Sequence, residues 1–361
     1  MLRLQMLPAG HGDCLWLEYG DPGNPRRVLI DGGTKGTYKR ALLPKLQALP
    51  EEQRRFELFV VTHIDADHIG GAVELLADPR AGFRPREIWF NGFRHLPAEP
   101  TDTLGPVQGE MLTDLILRSK ASWNGAFSKR AVVVPPSGSL PRIELEGGLV
   151  LTLLSPTPER LASLKPQWEA EVRKAGLDPR QTRPEESEMR EGLRLLGGEG
   201  PPDVDALVRA PFAEDGAAPN GSSIAMLAEF EGRRLLLSAD AHPSVLKAGL
   251  DRLGTEGKTG KTALDACKLS HHGSKANTSP ALLRSLDCPV YLFSTNGAYF
   301  KHPDREAVAR VIKLGGAGPA LKFNYRTDYN APWDSRTLRE KYDYSTAFPP
   351  AGEEGLTIEW E

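Results

Sequence analysis

Short apolar runs separated by polar, glycine-rich and proline-rich breaks organise the first third of this chain. Residues 2–7, 14–19 and 27–31 read as three strands, and Asp31-Gly32-Gly33 closes the third. A helix is expected from about 38 to 49. Residues 56–61 then form a continuous apolar run of the kind that makes a buried strand, with a helix expected at 72–76 and a strand at 86–91.

Residues 149–154 predict another strand, ending at Ser155-Pro156-Thr157-Pro158. Residues 159–220 differ in character. They open on a charged amphipathic helix and continue through Pro-Glu-Glu-Ser-Glu at 184–188 and Gly-Gly-Glu-Gly-Pro-Pro at 197–202, which read as loop and suit a core poorly. This segment is expected to be an insertion. Beyond it, 224–230 and 234–238 form a hairpin around Glu231-Gly232, followed by a helix at 243–253 and a strand at 263–269. A helix at 278–286, a strand at 290–294, a helix at 304–314 and late strands near 321–324 and 356–360 complete the pattern. No internal repeat is evident. For 361 residues, one α/β domain with an insertion fits as well as two domains.

Composition narrows the function classes. Hydrophobic residues make up 40% of the chain, enough for a sizeable core, yet no run approaches the roughly 18 apolar residues of a membrane span. The first residues are too short and interrupted for a signal peptide, so a soluble cytoplasmic protein is expected. Cys14, Cys267 and Cys288 lack CxxC spacing and predict reduced, buried thiols. A formal charge of −3 gives no global electrostatic case for nucleic-acid binding, although a local basic patch stays open.

The chemistry concentrates in residues 62–71, Thr-His-Ile-Asp-Ala-Asp-His-Ile-Gly-Gly, where His63, Asp65, Asp67 and His68 place four metal-competent side chains directly after a strand. A lone His-x-Asp pair is ordinarily a turn with an Asx hydrogen bond. Four such residues before a helix start point to metal instead. If the run stays extended, His63, Asp65 and Asp67 share one side and His68 points away; a bend would distribute the four over two ions. Further strand ends deliver Asp240, then His271 and His272, then Asn296 with His302-Pro303 nearby. Strand alternation admits only one of His271 and His272 inward, and does not say which.

His63-x-Asp65-x-Asp67-His68 resembles the HxHxDH signature of the metallo-β-lactamase fold, with Asp in place of the second His. Together with Gly12-Asp13, Leu154-x-Pro156, Ser222-Ser223, Ala239-Asp240, His271-His272-Gly273-Ser274 and His302-Pro303, it is similar to the hydrolase domain of ComEC-type DNA-uptake proteins, in the same order from about residue 5 to 315. The membrane-channel portion of those proteins has no counterpart here, so a transport role does not carry over. The resemblance implies an αββα four-layer sandwich, expected here as a single α/β domain over 1–361 with 159–220 as the helical and loop insertion that its composition suggests. It implies two divalent ions, and a donor set that mixes imidazoles with carboxylates puts Zn²⁺ first and Mn²⁺ as the alternative. His63 and Asp65 would hold one; Asp67, His68 and His271 would hold the other, with His271 preferred over His272 on the family register; Asp240 would bridge. The family's further His has no counterpart, because no His lies between His95 and His242. The first ion would then be weakly held or completed by water.

Around these, Asp13 is expected to support a ligand His and Asp31 to orient the metal loop by hydrogen bonding. His302 is a candidate acid or phosphate donor, and Ser274, Lys275 and Asn296 candidate substrate contacts. His11 and His95 read as solvated loop residues. The stretch 254–262, Gly-Thr-Glu-Gly-Lys-Thr-Gly-Lys-Thr, lacks Walker spacing because position 255 is Thr, and it follows a helix. With Lys258, Lys261, Lys268 and Lys275 it reads as a flexible cationic loop. Trp89, Phe90, Phe93 and Trp123 invite comparison with a base-stacking platform, but aromatics in and beside strands are core.

The leading expectation is a dinuclear metal-dependent hydrolase of a phosphodiester, DNA, RNA or a nucleotide, acting through a metal-bridging hydroxide. A metal-dependent hydrolase of a carboxylic ester, lactone or amide is the alternative, since one scaffold carries many chemistries. The third is a noncatalytic module whose insertion engages a protein partner.

Overall fold

The computed structural model describes residues 1–96, 107–175, 201–254 and 260–361. Seven strands form the first sheet: β1 (Leu2–Met6), β2 (Leu15–Tyr19), β3 (Arg26–Ile30), β4 (Arg55–Val60), β5 (Arg84–Trp89), β6 (Ser122–Trp123) and β17 (Leu356–Trp360), in the order β17-β1-β2-β3-β4-β5-β6. Eight form the second: β7 (Arg142–Glu144), β8 (Val150–Ser155), β9 (Ala225–Phe230), β10 (Arg233–Leu237), β12 (Ala266–Lys268), β14 (Val290–Phe293), β15 (Ala320–Phe323) and β16 (Ser345–Ala347), in the order β16-β15-β14-β12-β10-β9-β8-β7. A separate pair joins β11 (Thr262–Ala263) to β13 (Leu286–Asp287).

Side-chain alternation makes both sheets two-faced and so produces the layers. Leu58 and Val60 of β4 face the core between the sheets, while Phe59 faces helices outside the first sheet. Leu235 and Leu237 of β10 likewise face inward, and Leu236 faces helices outside the second sheet. Helices Ala66–Ala77 and Val107–Arg118 cover the first sheet through Ile69, Ala72, Leu112 and Ile116. Pro243–Leu253 and Arg305–Leu314 cover the second through Leu246, Leu250, Val308 and Val311. Helix, sheet, sheet and helix stack as the αββα sandwich.

Two ladders position the chemistry. β3, β4 and β5 run parallel, as do β10, β12, β14 and β15, so the carboxyl ends of each set collect at one rim. The ligand run leaves β4, Asp240 leaves β10, the His pair leaves β12 and Ser294 leaves β14.

Several expectations shift. The helix expected at 72–76 starts at Ala66, inside the ligand run, because Asp65 accepts the amides of His68 and Ile69 and begins the helical turn. The strand expected at 263–269 is divided between β11, which ends at Ala263 in the separate pair, and β12 in the second sheet. Lys268, expected in a flexible cationic loop, is fully buried in that strand; Lys258 lies outside the described residues, as do 255–259. Helix Pro158–Ala175 buries Trp168 in the first-sheet core, and helix Val204–Arg209 buries Val204 in the second, so the flanks of the expected insertion belong to the cores. Residues 184–188 and 197–200 lie outside the described residues. Trp89, Phe90 and Trp123 are buried and Phe93 packs on the same core, as burial tendencies required.

Candidate metal centre

His63 and Asp65 come from the extended segment after β4; Asp67 and His68 come from the first turn of helix Ala66–Ala77. The bend there lets all four face the rim where Asp240 arrives. Space for it depends on glycine. A Cβ on Gly12 would lie 1.7 Å from the Asp67 carbonyl oxygen, and one on Gly71 would lie 2.0 Å from the Gly32 oxygen, so only glycine lets these backbones meet.

Asp240 Oδ2 sits among four imidazoles. It lies 3.8 Å from His63 Nε2, 3.4 Å from His68 Nε2, 3.9 Å from His271 Nε2 and 3.7 Å from His272 Nε2. The expectation that alternation admits only one of His271 and His272 therefore fails. Both have left-handed backbones, with φ of 48° and 57°, so alternation ends before them and both rings turn toward Asp240. They differ in neighbours. His272 Nε2 is 3.5 Å from Asp67 Oδ2 and 3.3 Å from His68 Nε2, whereas His271 Nδ1 faces Asp215 at 3.6 Å. The place beside Asp67 and His68 expected for His271 is held by His272. On the other side, His63 Nε2 is 3.6 Å from Asp65 Oδ2.

The hydrogen bonds behind the rings fix their tautomers. His68 Nδ1 donates to Asp31 Oδ2 at 2.8 Å, and His272 Nδ1 to the Ser294 carbonyl at 2.9 Å. Thr62 Oγ1 donates to Asp31 Oδ2 at 2.8 Å, which leaves it an acceptor for His63 Nδ1 at 2.9 Å. Asn277 donates to Asp215 and to the Asp240 carbonyl, so its Oδ1 accepts from His271 Nδ1 at 3.0 Å. With a cation at the centre each ring would keep its hydrogen on Nδ1 and turn the Nε2 lone pair inward; without one, the surrounding carboxylates favour protonated His68 and His272.

His68 Nε2 and His272 Nε2 face each other at 3.3 Å, a contact that needs a proton or a metal cation between them. His63 Nε2, Asp240 Oδ1 and Asp13 Oδ1 are buried without a hydrogen-bond partner. Donor atoms of Asp13, His68, Asp240 and His272 all lie within 4.8 Å of one another. A mixed set of imidazoles and carboxylates, partly orphaned and wholly buried at its centre, fits divalent ions.

Electrostatics follow from this crowding. Burial alone would raise the Asp240 carboxyl, but His68, His272 and His271 hold it well below its ordinary range. Asp67 is lowered in the same way, against burial, by His68 and His272. Burial opposes charge on His272, yet Asp240 and Asp13 raise it to about 9. Asp13 is buried behind the ring, its Oδ1 3.4 Å from His272 Nδ1 and its other oxygen in an ion pair with buried Lys268.

The remaining candidates scatter. His302 packs its ring 5.3 Å from that of His271, with burial lowering its pKa against the pull of Asp304. Ser274 Oγ accepts the Ala276 amide and Asn296 Oδ1 the Ala298 amide, so both serve their own loops. Lys275, expected at the substrate, is not brought to the donors: its amide is held by Asp304 and its ammonium reaches Glu306 at 3.2 Å. His95 is half-buried against Trp123 rather than solvated. A cavity of about 750 Å³ lined by Arg94, His95, Lys129 and Arg130 contains none of the donors. Sequence reasoning missed Asp215, Asn220 and Asn277, which brace His271, and the Lys268–Asp13 pair; none carries a local motif.

Among the described residues no helix is long and apolar enough to cross a membrane. No curated protein matches the chain. Among solved structures, the chain is similar to the metallo-beta-lactamase fold protein YhfI from Bacillus subtilis at 10% identity, covering 99% of this chain and 98% of that one with a TM-score of 0.42. It is similar to Zn²⁺-bound PqqB from Methylobacterium extorquens at 12% identity, covering 100% of each with a TM-score of 0.42. A diphosphatase from the PhnP family matches at 13% identity over 99% of this chain and 98% of that one, with a TM-score of 0.35. The family model described as the metallo-beta-lactamase superfamily matches residues 8–297, and the chain belongs to that superfamily.

Proposed function

We propose that this chain is a dinuclear metal-dependent phosphodiesterase or nuclease. The observation that carries this reading is Asp240, whose one oxygen is approached by four imidazole Nε2 atoms between two sets of donors. His63, Asp65 and Asp240 would hold one ion, with His271 supplying the imidazole that the run between His95 and His242 lacks. Asp67, His68, His272 and Asp240 would hold the second. Two such ions supply an activated water and charge neutralisation for in-line displacement at phosphorus.

The chain's own residues do the rest. Asp31 and Thr62 keep His63 and His68 in the metal-binding tautomer, and Ser294 does so for His272. Asp67, held ionised against its burial and 3.5 Å from His272 Nε2, would fix the second ion. His302, beside His271 at the rim, would hydrogen-bond a phosphoryl or leaving oxygen. The resemblance of the ordered motifs to ComEC-type hydrolase domains favours a phosphodiester over an ester, lactone or amide.

The test is a substrate panel. Purified protein supplied with Zn²⁺ or Mn²⁺ should hydrolyse bis-p-nitrophenyl phosphate, and the Asp67→Ala variant should not. Turnover of a lactone or carboxylic ester with none of any diester would move the assignment to the alternative substrate class.

A further inference from the structure

Among the described residues, the exposed large hydrophobic side chains fall in two places. Val107, Met111 and Leu117 lie on helix Val107–Arg118; Tyr299, Phe300 and Tyr329 lie together at the rim of the metal centre. Tyr299 is 59% exposed and Phe300 45%, unusual for aromatic side chains in a chain that buries Trp16, Trp89, Trp168 and Trp333.

The loop that carries them is held in place. It leaves β14 through Thr295, whose amide donates to Asn324 Oδ1, and Asn296, whose amide donates to the Gly10 carbonyl at 2.8 Å. Ala298 closes on Asn296 Oδ1 and Lys301 on the Gly297 carbonyl. The Asp304 amide then ties the exit to Gly273, next to the His pair. Tyr329 packs over Gly297, where a Cβ would lie 2.4 Å from its ring.

Ring contacts connect this loop to the chemistry. Phe300 stacks on His302 with centroids 5.7 Å apart and meets His271 edge-on at 5.8 Å. Tyr299 stands edge-on to Phe300 at 4.5 Å and stacks with His11 at 5.3 Å. A single imidazole, His271, separates Phe300 from Asp240. Exposed aromatic side chains on a hydrogen-bonded loop, one side chain away from the candidate metal centre, are suited to a ring attached to a phosphoryl group bound there.

We infer that Tyr299 and Phe300 form a stacking subsite for the base adjacent to the scissile phosphate, so that the substrate is a nucleoside-containing phosphodiester. This rests on the phosphodiesterase reading for the scissile bond, but the subsite itself is a binding property. Stacking on one aromatic face changes affinity by about tenfold or more.

Two measurements test it. In the first, the metal-replete protein is given a dinucleoside monophosphate and a bis-glycerol phosphodiester that has no ring. The preference for the dinucleoside substrate, as the ratio of kcat/KM values, should fall about tenfold in Tyr299→Ala and be restored in Tyr299→Phe. Tyr299 is chosen because it touches neither His271 nor His302 among its ring contacts. An unchanged ratio in Tyr299→Ala overturns the subsite and leaves the hydrolase assignment standing. In the second, equilibrium dialysis follows dinucleoside monophosphate binding to metal-free protein. Binding weakened about tenfold in Tyr299→Ala supports the subsite even where no diester is turned over, which would remove the hydrolase assignment alone; binding that is absent in the wild type, or equal in both, overturns the subsite.

Discussion

Asp31 orients two candidate ligands, His63 through Thr62 and His68 directly, and replacing it should separate folding from metal binding. It is fully buried and accepts three hydrogen bonds at 2.8 Å each, from the Thr62 amide, the Thr62 hydroxyl and His68 Nδ1. Asp31→Ala strands these donors, at about 1–3 kcal/mol for each one left unpaired. It also places Ala at a φ of 59°, where a side chain other than Asn or Asp costs about 1–2 kcal/mol. Even at their lower ends these terms together give a loss on the order of 4 kcal/mol or more. Asp31→Asn behaves differently. Asn tolerates the left-handed backbone, its oxygen still accepts the Thr62 amide, and its NH₂ group replaces the carboxylate oxygen that faces the Thr62 hydroxyl and His68. Those partners must then become acceptors, so His68 moves its hydrogen to Nε2, and the Thr62 hydroxyl turns to donate to His63 Nδ1. Both imidazoles now aim N–H groups at the metal site. Stability should fall by only about 1 kcal/mol, while metal affinity falls about 10–100-fold. Urea denaturation of the metal-free protein reads the first quantity and chelator competition the second. Metal affinity in Asp31→Asn within twofold of wild type would refute the tautomer argument, as would a stability loss equal to that of Asp31→Ala.

The buried ion pair makes a second case. Lys268→Met strands the Asp13 carboxylate, which Lys268 and His272 hold low against burial, and should destabilise by about 3–5 kcal/mol; adding Asp13→Asn should recover more than half, measured by urea denaturation. His95 provides a pH dependence away from the centre. Burial and then Arg94 lower its pKa from an ordinary value near 6.5 to about 4, so between those values the unfolded chain binds the extra proton. Its contribution is complete above pH 6.5 and is lost as the pH falls toward 4, by about 2 kcal/mol after allowance for partial exposure. Denaturation at pH 7 and pH 4.5 should show a smaller acid loss in His95→Gln than in wild type, and equal losses would remove His95 as the cause.

The alternation of apolar strands with helices made the α/β class legible, and the density of donors in 62–71 made a metal site legible, because both are local patterns. The bend at Ala66 was less so: it depends on Asp65 starting a helix inside a run that also reads as extended. The His pair misled for a related reason. Period-two reasoning presumes strand geometry, and His271 and His272 have already left it for the left-handed region. Lys268 looked like part of a charged loop because lysines crowd 258–275 in sequence, whereas its surroundings are set by Asp13, 255 residues away. Asp215 and Asn220 reach His271 from a segment whose composition reads as loop. Such long-range partners leave no mark in local spacing; only the Asp replacing the second His of the run, and the absence of a His between His95 and His242, signalled that a first ion would need another donor.

The central claim is that Asp240 joins two ligand sets, and metal counting tests it most directly. Wild-type protein saturated with Zn²⁺ or Mn²⁺ and freed of excess should retain two ions per chain by elemental analysis, and Asp240→Ala fewer than one, with diester hydrolysis lost in parallel. One ion or none in wild type, or two retained in Asp240→Ala, would contradict it.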